Sequence, residues 1–308
     1  MSLLLFDAPG AENHPYARRM IAELARAGHD ATIAGNWADD ALARLPAGAR
    51  AVIDGPVLSR FAARPDAELA NAIGLVHQPD AASGAATILP RLGRIIATGQ
   101  ASADALVAAG VAEALLRVVI PGTDDAPRAT GSADGVCNIL SVGALIPRKG
   151  HDVLLSALGR LSDIPWRLTI AGSPERDRTH AGSLSALVTQ LGLGARVTFA
   201  ATADDALWRS ADLFALASRW EPWPTAVAEA LRRGLPLAVT DLCAHAVGAT
   251  QSAAVTAAPG DAEALSKGLR RMIFDAALRR YMAGAAWSVG QALPTWEMQA
   301  RAFAAALD

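Results

Sequence analysis

Two glutamates, Glu221 and Glu229, stand eight residues apart within S-R-W-E-P-W-P-T-A-V-A-E-A-L-R-R-G-L-P-L-A-V-T, residues 218–240. Carboxylates at a ligand site accept hydrogen bonds from hydroxyl groups or act as acid and base. A second cluster, Arg148-Lys149-Gly150, puts two adjacent cations before a glycine, which suits the charge of a diphosphate. His77, in V-H-Q-P, adds a side chain that can gain or lose a proton near neutral pH. Each of these has an ordinary alternative: a solvated glutamate, a surface Arg-Lys pair, a hydrogen-bonded loop histidine. His14, His29, His151, His180 and His245 have no spacing that suggests metal ligands, and no acidic cluster suggests a catalytic metal.

The elements that must position these residues decide between the readings. An apolar run at 213–217 leads into Glu221; Pro222 and Pro224 forbid sheet pairing and helix interior, so a loop follows the strand. Helix formers run from Thr225 to Arg233, Gly234 supplies a stop, and Pro236 begins a second extended run to Val239. Glu221 is thereby placed at the carboxyl end of a strand and Glu229 early in the next helix, at the edge where open parallel sheets bind ligands. Gly143 and the Arg148-Lys149 pair follow a strand at 137–142, with a helix from residue 151. Gly172 follows another strand, at 166–171.

The first half repeats the pattern, with strands expected at 3–6, 31–34, 51–53, 73–76, 94–97 and 117–120 and helices between most of them. Such alternation predicts an α/β chain with parallel sheets. His77 closes the fourth of these strands and Gly10 follows the first, where a loop backbone can approach a ligand closely. The turn-forming run from Pro121 to Gly135 reads as a linker. The expected organisation is a short first domain, 1–122, a linker, 123–135, a second domain, 136–290, and a tail helix, 291–308.

The frame around the two glutamates resembles the donor-sugar motif of retaining family-4 glycosyltransferases, and V-G-A-L-I-P-R-K-G, residues 142–150, resembles their diphosphate-gripping loop. The resemblance is good over 137–240, patchy over 250–308 and weak before 122. It implies the GT-B fold: two Rossmann-like parallel-sheet domains facing a cleft, with the C-terminal helix crossing back to the first. It implies transfer of a hexose-type sugar with retention from a nucleotide-diphosphate sugar, a co-substrate, with no cofactor, to an unknown acceptor held by the first domain.

Carried over residue by residue, the catalytic set is Glu221, Lys149, Arg148 and His77. The donor-binding set is Glu229, Gly10, Gly143, Gly172, Trp223, Pro224 and Thr225. Ala144 stands where many members have arginine, and Pro222 replaces a common glycine and removes a backbone donor. These departures keep two alternatives open, a non-catalytic nucleotide-sugar-binding protein and a GT-B-like sugar-nucleotide epimerase.

Composition narrows the remaining classes. The chain is 52% hydrophobic and 19% charged with a formal net charge of −2, which argues for a well-buried globular protein and against nucleic acid as a partner. The arginine pairs 232–233, 270–271 and 279–280 read as solvated helix faces. Neither a dinucleotide-binding nor a P-loop glycine motif follows any strand. Cys137 and Cys243 are unpaired in sequence, as in a reducing compartment, and no signal peptide or spanning segment is read, so the expected location is cytoplasmic. Arg18, Arg19 and Arg26 on the first helix would admit contact with a membrane surface, although such arginines more commonly just solvate a helix.

Overall fold

The computed structural model describes residues 2–7, 15–34, 40–78 and 87–307. They form two compact units, one of Met1–Gly122 with Pro294–Asp308 and one of Thr123–Leu293.

In the first unit, β1 (Ser2–Phe6), β2 (Asp30–Ala34), β3 (Arg50–Asp54), β4 (Ala72–Val76), β5 (Arg94–Ala97) and β6 (Leu116–Val118) make one sheet in the order β2-β1-β3-β4-β5-β6. Every pairing is parallel. A parallel sheet is covered on both faces, so its inner strands are apolar runs rather than alternating ones, and all five residues of β4 are buried. One face is covered by the helix Pro15–Arg26 together with Trp296–Ala306, the last helix of the chain: Met20, Leu24, Trp296 and Phe303 share one core cluster with Leu3 and Leu5. Arg94 Nη1 donates to the Ala306 carbonyl at 2.8 Å. A Cβ at Gly122 would lie 2.3 Å from Trp296 Cα, so only glycine lets the two backbones cross there.

In the second unit, β7 (Cys137–Val142), β8 (Trp166–Ala171), β9 (Val197–Ala200), β10 (Leu213–Leu216), β11 (Leu237–Thr240) and β12 (Ala254–Ala257) follow the order β12-β11-β10-β7-β8-β9, again all parallel. The winding direction reverses between β7 and β10, and the crevice beyond the carboxyl ends of those two strands is the natural ligand position. Trp166, Leu168, Leu154 and Leu213 lie at the core of this unit.

The segment 123–135 has no helix or strand yet is laced onto this unit: Ala129 N–H donates to the Arg233 carbonyl at 2.9 Å, and the N–H groups of Thr130 and Gly131 donate to the Arg209 carbonyl at 2.8 and 3.1 Å. One charged pair departs from expectation. Arg232 is 3% exposed rather than solvated, because its Nη2 donates to the Leu293 carbonyl at 2.9 Å beyond the end of the helix Ala276–Ala292, and Asp125 lies 3.4 Å from its Nη1.

Candidate active site

The site is assembled by two loops pressed together at the β7 and β10 strand ends. After β7 the chain passes Gly143, makes a tight turn over Pro147–Lys149, and enters the helix His151–Gly159 through Gly150, whose φ of 64° is left-handed. A Cβ at Gly150 would sit 1.9 Å from the Ala217 carbonyl oxygen, so the glycine is required by the approach of the loop after β10 as well as by its dihedral. On the other side a Cβ at Gly172 would sit 1.9 Å from the Gly143 oxygen, and Leu145 N–H donates to the Ser173 carbonyl at 3.2 Å. Arg219 completes the lacing. Its guanidinium spans both carboxylate oxygens of Asp152 at 2.9 and 2.7 Å and donates to the Pro147 carbonyl at 2.6 Å, while its N–H donates to the Arg148 carbonyl at 2.8 Å.

Within this frame Glu221, 4% exposed, accepts from three side chains: Lys149 Nζ on Oε1 at 2.5 Å, Ser218 Oγ on Oε1 at 2.8 Å and Arg148 Nη1 on Oε2 at 2.8 Å. Burial alone would raise its pKa, but the Lys149 and Arg148 charges and the hydrogen bonds outweigh that and hold the carboxyl below the ordinary glutamate range. Arg148 also donates to the Trp220 carbonyl at 2.8 Å and lies 5.7 Å from the Trp220 ring centroid. Two cations around one carboxylate leave a net positive charge, and Lys149 and Arg148 keep 16% and 21% side-chain exposure, enough to meet an anion.

His151, set aside in the sequence reading, is buried behind this loop with Nε2 3.2 Å from the Gly143 carbonyl and Nδ1 3.5 Å from Ser141 Oγ. Burial first, and the nearby Lys149 charge after it, push its pKa down to about 4. The ring is therefore neutral near pH 7. A carbonyl can only accept, so the proton resides on Nε2 and Nδ1 takes the Ser141 hydroxyl. Together they pin Gly143, over whose Cα the Lys149 stem passes: a Cβ there would meet Lys149 Cδ at 3.2 Å.

Trp223 and Pro224 are buried and Thr225, the first residue of the helix Thr225–Arg232, is exposed. Pro224 provides the carbonyl that accepts from Val227 and Ala228 N–H at 2.9 and 3.0 Å. Glu229 lies in the middle of that helix and differs sharply from Glu221. Among the described residues its carboxylate has no ion pair and no side-chain hydrogen bond, and burial raises its pKa, with Arg233 opposing and Asp124 adding to the shift.

His77 stands apart, in the first unit, after β4. Its Nε2 is 3.2 Å from Asp54 Oδ1, its Nδ1 3.2 Å from Thr98 Oγ1, and Tyr16 meets its ring edge-on at 5.2 Å. Asp54, at the end of the neighbouring β3 and 1% exposed, was not singled out in the sequence, although a buried acid at a strand's carboxyl end is a recognisable signal. Ser218, beside Glu221, gave no such signal. Gly10 lies outside the described residues. Among those residues no three His, Cys, Asp or Glu side chains gather as metal ligands, and no helix is long and apolar enough to cross a membrane.

The chain is 34% identical over 112 residues to mannosylfructose-phosphate synthase of Agrobacterium fabrum, covering 33% of this chain and 25% of that protein. It is 31% identical over 104 residues to the lipopolysaccharide core biosynthesis glycosyltransferase LpsE of Rhizobium meliloti, covering 33% and 29%. The matched stretches thus span between a quarter and a third of these relatives. Among solved structures, Anabaena HepE in complex with UDP-glucose superposes with a TM-score of 0.80 at 19% identity over 100% of this chain and 99% of that one. Sucrose-phosphate synthase from Thermosynechococcus elongatus gives 0.79 at 17% over 99% and 98%. These structures share the chain's two-domain GT-B fold. The model of the family described as glycosyl transferases group 1 matches residues 123–288, more than half of the chain, and the protein belongs to that family.

Proposed function

We propose that the protein transfers a hexose from a nucleotide-diphosphate sugar to an acceptor with retention at the anomeric carbon, as family-4 members do. The observation that carries this reading is the Arg148–Glu221–Lys149 cluster, a partly exposed net cation fixed at the β7/β10 switch point. The curated relatives named as glycosyltransferases and the likeness to a protein solved with UDP-glucose support a nucleotide sugar as donor.

In this reaction the acceptor oxygen attacks the anomeric carbon while the bond from that carbon to the β-phosphate oxygen breaks. The electron pair leaves with the diphosphate, and a phosphate oxygen takes the acceptor's proton. Charge grows on the leaving diphosphate, and Lys149 and Arg148 stabilise it there more than in the bound donor, so their attraction lowers the barrier rather than merely tightening binding. Glu221 holds both cations in place, and its remaining lone pairs accept from a sugar hydroxyl. Glu229, whose carboxylate has no ion pair or side-chain hydrogen bond among the described residues, accepts from the ribose hydroxyls of the donor; a half-buried acceptor left unmatched by an analogue lacking them discriminates against it. Gly143, Gly172, Trp223, Pro224 and Thr225 belong to the proposed donor set, and His77 stays in the proposed catalytic set. Gly10, after β1, stays in the proposed donor set.

The stereochemical experiment tests the claim of retention. Proton NMR of the first product formed from an α-linked donor should show the α-anomer, and a β-linked first product would overturn it.

A further inference from the structure

We propose that the second unit carries a separate binding site for a phosphate-bearing small molecule, at the amino-terminal edge of its sheet. A cavity of about 450 Å³ opens there, lined by Arg128, Arg279, Arg280, Asp212, Gly131 and Gly234. Asp212 immediately precedes β10, and Gly234 lies just before β11. The cavity is therefore at the opposite strand ends from Glu221 and Lys149, and the inference does not depend on the reading of that site.

Charge is the first argument. Among the described residues none of the three guanidiniums has an ion-pair partner. Asp212, the one acid on the lining, already accepts from Ser132 N–H on Oδ1 at 3.2 Å and from Asn138 N–H on Oδ2 at 2.8 Å. Unpaired surface arginines are commonplace singly; three on one concavity against the single Asp212 carboxylate leave a net positive, anion-attracting field. The helix Ala276–Ala292 begins at the rim, where Ala276 lines the cavity; its first turn is already capped by Asp275 Oδ1, which accepts from Leu278 N–H at 2.8 Å, so the three guanidiniums carry the charge argument.

Preorganisation is the second argument. Arg279 Nη1 is held by the Met272 and Ile273 carbonyls, both at 2.7 Å, which leaves its remaining N–H groups to a ligand. Arg128 lies 5.5 Å from the Trp287 ring centroid. Its segment is not loose, because the N–H groups of residues 129–131 are bonded to the Arg233 and Arg209 carbonyls. Gly131 and Gly234 have φ of 81° and 70°, so a larger residue at either position is disfavoured and the walls stay low. The volume falls in the range of small-molecule pockets rather than that of a bare ion, which points to a phosphate ester and not to free phosphate alone.

Amide chemical-shift mapping of the whole ¹⁵N-labelled chain locates any binding directly. Titration with inorganic phosphate, and separately with a hexose 6-phosphate, at ionic strength matched with chloride, should give saturable shifts over residues 128–131, 234–235 and 276–283. The double variant Arg128→Glu/Arg280→Glu should weaken those shifts by at least about tenfold while leaving any phosphate response of the 143–150 loop in place. Both side chains are exposed and, among the described residues, without ion pairs, so the fold should survive; Arg280→Ala alone repeats the test at smaller amplitude. Tighter binding of the ester assigns the cavity to phosphorylated metabolites, and equal binding assigns it to phosphate itself. An absence of saturable shifts at these residues, or the same shifts with chloride, would overturn the proposal whatever happens in the 143–150 loop.

Discussion

The carboxyl edges of the two sheets use different chemistry on the same architecture. In the second unit the strand ends present a cationic loop clamped from every side: Gly150 against the Ala217 oxygen, Gly172 against the Gly143 oxygen, Arg219 against Asp152, and Glu221 between Lys149 and Arg148. In the first unit the corresponding edge presents a buried acid beside a histidine, Asp54 and His77, with Thr98 and Tyr16 around them. The contrast teaches where rigidity is needed. On the proposed function, a diphosphate offers the same charge and shape whatever it carries, so its grip can be fixed in backbone contacts that admit only glycine. A histidine set between the Asp54 carboxylate and the Thr98 hydroxyl offers hydrogen-bonding side chains in place of a cationic grip.

The strongest way to break this comparison is to remove the clamp. Glu221→Ala leaves two adjacent cations half-buried without their shared carboxylate, and breaking a buried ion pair on one side costs about 3–5 kcal/mol. Thermal unfolding should show that loss, and transfer should fall beneath detection. Because the folded-state pKa of Glu221 is lowered, its contribution is present above the unfolded value and lost as the pH falls through the folded one; the variant should therefore lack an acid-side loss of stability that the parent shows. A stable, active Glu221→Ala protein would mean that the cluster is ornamental. His77→Phe sharpens the other half of the comparison. It should lower kcat by roughly tenfold to a hundredfold while leaving the affinity for the donor unchanged, and a change in donor affinity alone would place His77 with the donor grip instead.

Much of the second unit was legible because glycine and proline punctuate it. The strand before Glu221, the loop between Pro222 and Pro224 and the helix stop at Gly234 lie where those residues put them, and Arg148, Lys149 and Glu221 do converge. What could not be read was tertiary. Arg232 looks like one of a surface pair and is buried only because the Leu293 carbonyl needs a donor. His151 has no motif around it, and its role in pinning Gly143 exists only once the loop folds back over it. The edge strand Ala254–Ala257 is short, and the helix Ala276–Ala292 is rich in alanine and glycine, so neither carries a strong hydrophobic period. Nor did eight residues of spacing show that Glu221 would accept from three side chains while the Glu229 carboxylate, among the described residues, has neither ion pair nor side-chain hydrogen bond.

That last difference gives the most direct measurement: thermal unfolding of the wild type and of Glu229→Gln against a panel of UDP-, GDP- and ADP-linked sugars. Burial raises the folded pKa of Glu229, so the native state favours its protonated form. That preference is fully expressed below the unfolded value and lost as the pH rises through the folded one. Near neutral pH the amide should therefore be as stable as the parent or slightly more so. One nucleotide sugar should stabilise the parent, by about 2.7 kcal/mol at roughly a hundred times its dissociation constant, and should fail to stabilise the variant. Stabilisation of both proteins alike, or of neither by any nucleotide sugar, would contradict the assignment of this site to a sugar-nucleotide donor.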